Sequence, residues 1–393
     1  MFETATDIFA SAVIFTLGFG AMALVARLTG LSQARVNIIY LWHTLFAFGY
    51  AYLILNSGGD ALYYYQSSLE GNVEWGTGTA GVIAITWFFS TGLGLSFVAT
   101  SLIYQTFGAM GLAFFDAALK ATTANKSQTM KTLSNWIVFL PSASFWTSGL
   151  GKDSLAFFGI GLVLWGMQNM RRRVFAIIPG VAAVFLVRAH IGLLLLGAIG
   201  LASLFAANRG FLAKAAVLVM AAVAIYFAAP VVAERLNISN LASISELDEY
   251  IESRQGYNLD GGSSTDIASL SVPMRLFTYL YRPLFVDANN SFTLAASAEN
   301  ALILALSLLA IITSLRNRGT SLNSLLFLFV YVVVCWFLLA NTTANLGIAA
   351  RQKWMIMPAL FLLVFAIQQN IITRSRNPRP QAYAQQFPNP GFR

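Results

Sequence analysis

The sequence predicts an all-α, polytopic integral membrane protein with about eleven transmembrane helices and one long outer loop. Of its 393 residues, 57% are hydrophobic and only 10% are charged, whereas about a quarter of the residues in soluble domains are charged. The mean hydropathy is +0.68. Apolar runs recur from residue 8 to residue 372, with one long polar interruption. These observations predict that the bilayer is the solvent for most of the chain.

Apolar runs that are long enough, or nearly long enough, to cross a bilayer define eleven candidate spans. In chain order they are Ile8–Ala26, Asn37–Leu55, Leu93–Leu119, Leu133–Thr147, Ser154–Gln168, Phe175–Val187, Ile191–Ala207, Ala215–Val232, Asn300–Leu315, Leu322–Ala340 and Trp354–Ile372. Ala80–Phe89 is interpreted as lying on or dipping into the outer leaflet. Residues 1–372 are therefore predicted to form a single transmembrane domain with outer-face loops at 56–79 and 233–299. Residues 373–393 are predicted to be a disordered cytoplasmic tail, because they contain little to bury.

The distribution of charge predicts the orientation of these spans. If the spans alternate, 16 of the 24 basic residues fall on one side and 15 of the 16 acidic residues fall on the other. Because Lys and Arg concentrate in cytoplasmic loops, we expect the N-terminus outside and the C-terminus in the cytoplasm. The same distribution argues against nucleic acid as the partner of a chain with a net charge of +8.

Motifs for several common chemistries are absent from the sequence. It contains no GxxxxGK[ST] loop, no HExxH pair and no CxxC pair, which argues against nucleotide hydrolysis, zinc catalysis and thiol redox chemistry. The single cysteine, Cys335, lies in an apolar run, so no disulfide forms within the chain. We predict no cofactor; a divalent metal is compatible with the sequence but not required.

Cations are concentrated on the predicted outer side, which the positive-inside bias should deplete. They abut or enter apolar runs, where a charged side chain is costly unless it is paired or faces water. The candidate substrate-binding residues of this kind are Lys152, Arg188, His190, Arg275, Arg282 and Arg351. Because the planar guanidinium of arginine binds two oxygens at once, they predict a site for an anion such as phosphate. The alternative is that each long side chain reaches up to the lipid headgroups.

Three carboxylates are candidates for catalysis: Asp60, Asp153 and Glu299. Lys152 and Asp153 end the stretch Leu140–Ser154 (LPSASFWTSGLGKDS), between two apolar runs. They either cap a helix hairpin or form part of a polar site. Asp60 follows two glycines and could instead cap the next helix. Glu299 begins a predicted span, where the helix dipole favours a negative charge.

Other residues have simpler expected roles. Tyr64 and Trp146 are candidate sugar-binding aromatics, although such residues also form ordinary interfacial belts. His43 lies in the middle of a span and is expected to make a helix-packing hydrogen bond. Asp116 is expected to pair with Lys120 one helical turn later.

Four stretches of the chain are distinctive: LPSASFWTSGLGKDSLAFFGIGL, VRAH at residues 187–190, SVPMRLFTYLYRPLFVDANN running into AENALIL, and NLGIAARQKWMIMPAL. On these stretches the chain resembles a group of bacterial polytopic membrane proteins from surface-polysaccharide gene clusters. The chain is more loosely similar to O-antigen and exopolysaccharide polymerases and to GT-C-type glycosyltransferases. The resemblance extends from about residue 56 to residue 372. GT-C-type enzymes carry an acidic catalytic residue in their first outer loop, whereas Asp60 follows the second predicted span.

This resemblance implies a polymerase or glycosyltransferase that uses polyprenyl-pyrophosphate-linked sugars at the outer face of the bacterial inner membrane. Arg and Lys side chains would stabilise the leaving pyrophosphate, and one of the three carboxylates would take the proton from the attacking hydroxyl. The implied partners are the polyprenyl-linked oligosaccharide, membrane lipids and other polysaccharide-assembly proteins. Two alternatives stay open: a transporter or flippase of a lipid-linked or anionic solute, and a non-catalytic subunit of a polysaccharide assembly system.

Overall fold

A computed structural model describes residues 4–71, 73–205, 270–316, 322–343 and 345–368, with isolated positions at 210, 215, 219 and 267. Within these ranges every regular element is helical, which confirms the predicted all-α class. The α-helices are α1 (Ala5–Thr29), α2 (Gln33–Ser57), α3 (Asp60–Leu69), α4 (Thr79–Trp87), α5 (Phe97–Thr123), α6 (Gln128–Ile137), α7 (Pro141–Thr147), α8 (Lys152–Met167), α9 (Val174–Val187), α10 (Ala189–Phe205), α11 (Val272–Tyr281), α12 (Ser291–Arg316), α13 (Leu322–Thr342), α14 (Leu346–Gln352) and α15 (Met357–Ile367).

Five of the described helices are long and apolar enough to cross a membrane, or six if a bent pair counts as one span. The five are α1, α2, α5, α12 and the Leu325–Thr342 part of α13, and the bent pair joins α14 to α15 at 59°. Several apolar helices of membrane-spanning length are thus present, as expected for a membrane protein.

The predicted number of eleven spans is not confirmed. The predicted span Leu133–Thr147 is interrupted between α6 and α7, because Pro141 lacks the N–H that a continuing helix needs and instead starts α7. Helices α8 and α9 have 16 and 14 residues, fewer than a straight crossing of a typical bilayer requires. Of the predicted span Ala215–Val232, only positions 215 and 219 are described; residues 233–266 of the long loop and the tail at 373–393 lie outside the described residues.

Helix α8 is packed between α5 and α9 at backbone distance. A Cβ atom on Gly161 of α8 would lie 2.3 Å from the carbonyl oxygen of Gly111 in α5. On the other side, a Cβ atom on Gly159 would lie 2.4 Å from the carbonyl oxygen of Gly180 in α9. These glycines let a short helix sit inside the bundle without large side chains to hold its neighbours apart.

Charged residues collect at opposite ends of helix α2. Near its start, Arg35 lies 2.9 Å from Asp116 of α5, and Lys120 lies 3.4 Å from the same carboxylate, which confirms the predicted Asp116–Lys120 pair. Just beyond the end of α2 lies Asp60. We call these two regions the Arg35 end and the Asp60 end. Between them, buried His43 lies 3.1 Å from the hydroxyl of Thr147, the helix-packing contact expected for it.

The close contact of α8 with α5 predicts that a larger side chain at Gly161 destabilises the protein. Gly161→Ala places a methyl group against the Gly111 carbonyl, so we expect a loss of about 1–3 kcal/mol of stability, measured as a lower thermal unfolding temperature in detergent. The matched control is Gly20→Ala in α1, where an added Cβ meets nothing within 4 Å. That control should be neutral or stabilising by up to about 1 kcal/mol. Equal unfolding temperatures for the two variants would contradict the packing of α8.

Candidate functional site

The candidate site is built around the carboxylate of Asp153, in the first turn of α8. Its side chain is 8% exposed. One oxygen accepts a hydrogen bond of 2.5 Å from Nη2 of Arg188, and the other accepts one from Nε of Arg351. Because these residues are 35 and 198 positions away in the chain, a single carboxylate joins α8, the α9–α10 junction and α14.

Arg188 is the single residue between helices α9 and α10. Its backbone leaves the helical region (φ −145°, ψ 73°), while its N–H still bonds to the carbonyl of Val184 at 2.7 Å. The side chain is 9% exposed and is paired with Asp153. In the described structure its contact is therefore with a buried carboxylate.

Asp60 enters the site from the turn between α2 and α3. Gly58 and Gly59 have φ values of +75° and +135°, which glycine adopts readily and other residues rarely do. Asp60 is the first residue of α3, and no side chain caps that helix, so the capping role is not seen. Its carboxylate accepts a 2.7 Å bond from Nη1 of Arg351 and is 54% exposed. Arg351 thus bridges a buried and an accessible carboxylate.

Lys152 completes the cluster. Its ammonium donates a 2.8 Å hydrogen bond to the hydroxyl of Thr79 and lies 5.8 Å from the ring centroid of Tyr64. Tyr64 is 4% exposed and packs below this cation. Gly151 precedes α8 and no side chain caps this helix. The Lys152–Asp153 pair therefore belongs to a polar cluster, one of the two roles left open by the sequence.

The charges in the cluster are unequal. Three cations and two carboxylates leave one net positive charge. Burial by itself would raise the pKa of Asp153, but the charges of Arg351 and Arg188 hold this pKa below its usual value. Burial, followed by the positive charge of Arg188, lowers the pKa of Lys152 to about 8. At neutral pH the cluster therefore holds an ionised Asp153 and a Lys152 that still carries most of its charge.

An aromatic row approaches the cluster from α2 and α7. Tyr50 lies close enough to Arg351, Asp153 and Asp60 to interact with their charges. Its ring centroid is 5.5 Å from that of Phe145, which is 5.0 Å from that of Trp146. The predicted aromatic Trp146 thus reaches the charged cluster through two other rings. Tyr50 was not predicted as a site residue, since one tyrosine in an apolar run is indistinguishable from packing.

Glu299 lies outside the cluster. It is the ninth residue of α12, not in the first turn, because the helix begins at Ser291 and not at the predicted Asn300. The expected stabilisation by the helix dipole is therefore wrong. Its carboxylate is 8% exposed and accepts bonds from the backbone N–H, at 3.1 Å, and the hydroxyl of Ser142.

The remaining predicted cations make separate contacts. Arg282 pairs with Asp287 through a 3.0 Å bond from Nε, and Arg275 donates to the side chain of Asn341 at 2.9 Å. His190 is half-buried in the first turn of α10, two residues after Arg188.

Lys353, which the sequence also places among the outer-side cations, makes a separate contact. It is 3% exposed and donates to the side-chain oxygen of Asn300 at 2.5 Å. In the part of the chain that the structure describes, no three His, Cys, Asp or Glu side chains come together as metal ligands.

The two aspartates of the cluster are expected to differ in their effect on stability. Asp153→Asn leaves the buried Arg188 without its counter-charge and removes one of the two carboxylates that pair with Arg351. We therefore expect a loss of about 3–5 kcal/mol or failure to fold. Asp60→Asn removes a half-exposed partner and should cost no more than about 1 kcal/mol. Thermal unfolding of both purified variants measures this difference. Similar unfolding temperatures would show that Asp153 does not hold the cluster together.

No protein-family model, curated protein or solved structure matches the chain. What the cluster can do therefore follows from its own features. It contains an excess of positive charge, one buried carboxylate and one accessible carboxylate, at one end of an apolar helical bundle.

Proposed function

We propose that this protein is a membrane glycosyltransferase of the polymerase type, acting in bacterial surface-polysaccharide synthesis. It would use polyprenyl-pyrophosphate-linked sugars at the outer face of the inner membrane. The observation that carries the proposal is the placement of Arg351 between Asp153 and Asp60, beside Arg188 and Lys152. This arrangement combines cations for a pyrophosphate with an accessible carboxylate for proton transfer.

The cations keep donors available for an anionic ligand. Arg351 uses Nε and Nη1 in its two ion pairs, and its side chain is 22% exposed. In the described ranges its Nη2 has no protein partner, and Lys152 donates to Thr79 alone. Arginine and lysine with free donors suit phosphate oxygens. A pyrophosphate at the Asp60 end would meet both side chains.

The two aspartates of the cluster would have different roles. Asp153 is a positioning residue, because both of its oxygens are held by arginines and its pKa is lowered. Asp60 keeps one oxygen without a partner in the described structure and faces solvent, so it is assigned as the general base. Glu299 is buried against Ser142 and takes no part in this step.

The proposed reaction is a displacement at the anomeric carbon of the donor sugar. The acceptor hydroxyl forms the new C–O bond and gives its proton to Asp60. The bond between the anomeric carbon and the pyrophosphate breaks, and its electron pair leaves with the polyprenyl pyrophosphate. Arg351 and Lys152 stabilise the charge that develops on this leaving group.

The test of the proposed function is Asp60→Asn, expressed in a strain that lacks the gene. We expect polymer formation to fall by about 10²–10⁴-fold, since a general base is removed, while the protein stays folded and inserted. The matched control is Glu70→Gln, an exposed carboxylate at the other end of α3, which should support normal polymer. Polymer of normal length and amount from Asp60→Asn would refute the assignment of the base.

The pH dependence of transfer tests the role of Lys152. Its pKa of about 8 lies below that of an ordinary lysine, so it loses its charge as the pH rises through about 8. We expect donor binding, measured as KM for the lipid-linked sugar, to weaken above that pH. Lys152→Arg keeps its charge at high pH and should remove this dependence. An unchanged rise of KM with pH in Lys152→Arg would exclude Lys152 as the titrating group.

Transport of a lipid-linked or anionic solute is the second candidate. It is favoured by polar pairs inside the bundle, between the two charged ends: His43 with Thr147, and Gln105 with Thr44 at 2.6 Å. All four side chains are buried and bonded to other protein groups. Movement of solute across liposomes by the purified protein, without sugar transfer, would favour transport over the glycosyltransferase.

A further inference from the structure

A polar cleft lies at the Arg35 end, away from the charged cluster of the candidate site. Its volume is about 220 Å³, and it is lined by Lys120, Thr123, Ala124, Lys131, Ser134 and Asn135. The last turn of α5 and helix α6 form its walls. The candidate site uses none of these residues.

The cleft has an excess of positive charge. Arg35 takes both oxygens of Asp116, at 2.9 Å and 3.0 Å, so Lys120 makes a longer third contact of 3.4 Å with an already paired carboxylate. In the described part of the chain, the ammonium of Lys131 has no ion-pair partner. The two lysines of the cleft therefore keep most of their positive charge unbalanced, because the nearby carboxylate of Asp116 is already paired with Arg35.

The walls of the cleft are held in place by other contacts. Arg35 also donates to the backbone carbonyl of Asn135 at 2.8 Å, which ties α6 to α2. Buried hydroxyls of Thr123 and Ser134 lie 3.2 Å apart and join α5 to α6. The cleft is thus formed by the packing of three helices, with polar groups already in position.

The surroundings of the cleft are those of a membrane interface. Trp136, next to the lining residue Asn135, is 68% exposed. Exposed tryptophans are typical of the headgroup level of membranes, and basic pockets between spanning helices commonly bind anionic headgroups. A phosphate here would reach the two lysines, while the apolar part of its carrier would pass Trp136.

We propose that this cleft binds the phosphate group of an anionic phospholipid headgroup. Lys120 and Lys131 contact the phosphate oxygens, and the side-chain amide of Asn135 provides a neutral hydrogen-bond donor. The site is independent of the proposed glycosyl transfer, and it concerns the opposite end of the bundle.

Lipid binding to the full-length purified protein tests the proposal. Protein in neutral detergent is titrated with phosphatidylglycerol and, separately, with phosphatidylcholine, and bound lipid is counted by native mass spectrometry. We expect the wild type to bind phosphatidylglycerol more tightly than phosphatidylcholine. In the variant Lys120→Gln/Lys131→Gln, the ratio of the two affinities should fall by about tenfold or more. The matched control, Arg172→Gln, removes an exposed cation near the same end of the bundle and should behave as the wild type.

Two outcomes would overturn the proposal. One is an unchanged preference for phosphatidylglycerol in the double variant. The other is displacement of phosphatidylglycerol by inorganic phosphate at similar concentration, which would assign the cleft to free phosphate. If the double variant fails to fold, Lys131→Gln alone gives the test, because Lys131 has no ion pair in the described structure whose loss could unfold the protein.

Discussion

The Asp60 end of this protein depends on one buried carboxylate shared by two arginines. Charged groups are costly to bury unless they are paired and hydrogen-bonded, and Asp153 satisfies this condition for Arg188 and Arg351 together. Without it, Arg188 would be buried with no ion-pair partner in the described structure, and Arg351 would keep only Asp60. With it, residues from α8, the α9–α10 junction and α14 are brought together. The glycines that let α8 pack tightly between its neighbours are thus part of the same requirement.

The same pairing gives the two aspartates of the cluster different surroundings. A carboxylate held on both sides by arginines is a poor proton acceptor, so in the proposed reaction Asp153 would organise the site and Asp60 would take the proton. Asp60 contacts the same Arg351 from the solvent side. Anything that binds Arg351 would therefore change the surroundings of Asp60 directly. In the proposed function this contact would couple the anion site to the base, which is the physical reason for preferring a transfer reaction over simple anion binding.

Much of this arrangement could be predicted from the sequence, because charges in apolar runs are rare and costly. That rule identified Lys152, Asp153, Arg188 and Arg351, which the structure brings together with Asp60, an aspartate chosen for its place in a predicted outer loop. The same rule also selected Arg275 and Arg282, whose partners lie outside the cluster. The energetic cost of burying a charge predicts that the charge has a partner, but it does not predict which residue that partner is. Thr79 and Tyr50 were missed, since a threonine or tyrosine near a membrane helix has no such cost.

The helical class was predicted correctly, whereas the predicted number of spans is not confirmed. Periodicity and hydropathy locate apolar helices, but they do not separate a helix that crosses a bilayer from a short one buried among others. Helix α8 illustrates the difficulty: after its polar first turn, the rest of this 16-residue helix is apolar because α5 and α9 surround it. The start of α12 was missed because Ser291–Glu299 is too polar for a hydropathy criterion, although polar residues extend helices beyond the apolar region.

The central claim is that the cations around Asp153 form a binding site for a lipid-borne pyrophosphate. It is tested most directly by comparing the affinities of the purified protein for farnesyl pyrophosphate and for farnesol, which share their chain and differ in the headgroup. The account predicts at least tenfold tighter binding of the pyrophosphate, and a preference that falls several-fold in Arg351→Lys, which keeps the charge but not the forked donor. Equal affinity of the wild type for the two lipids would contradict it.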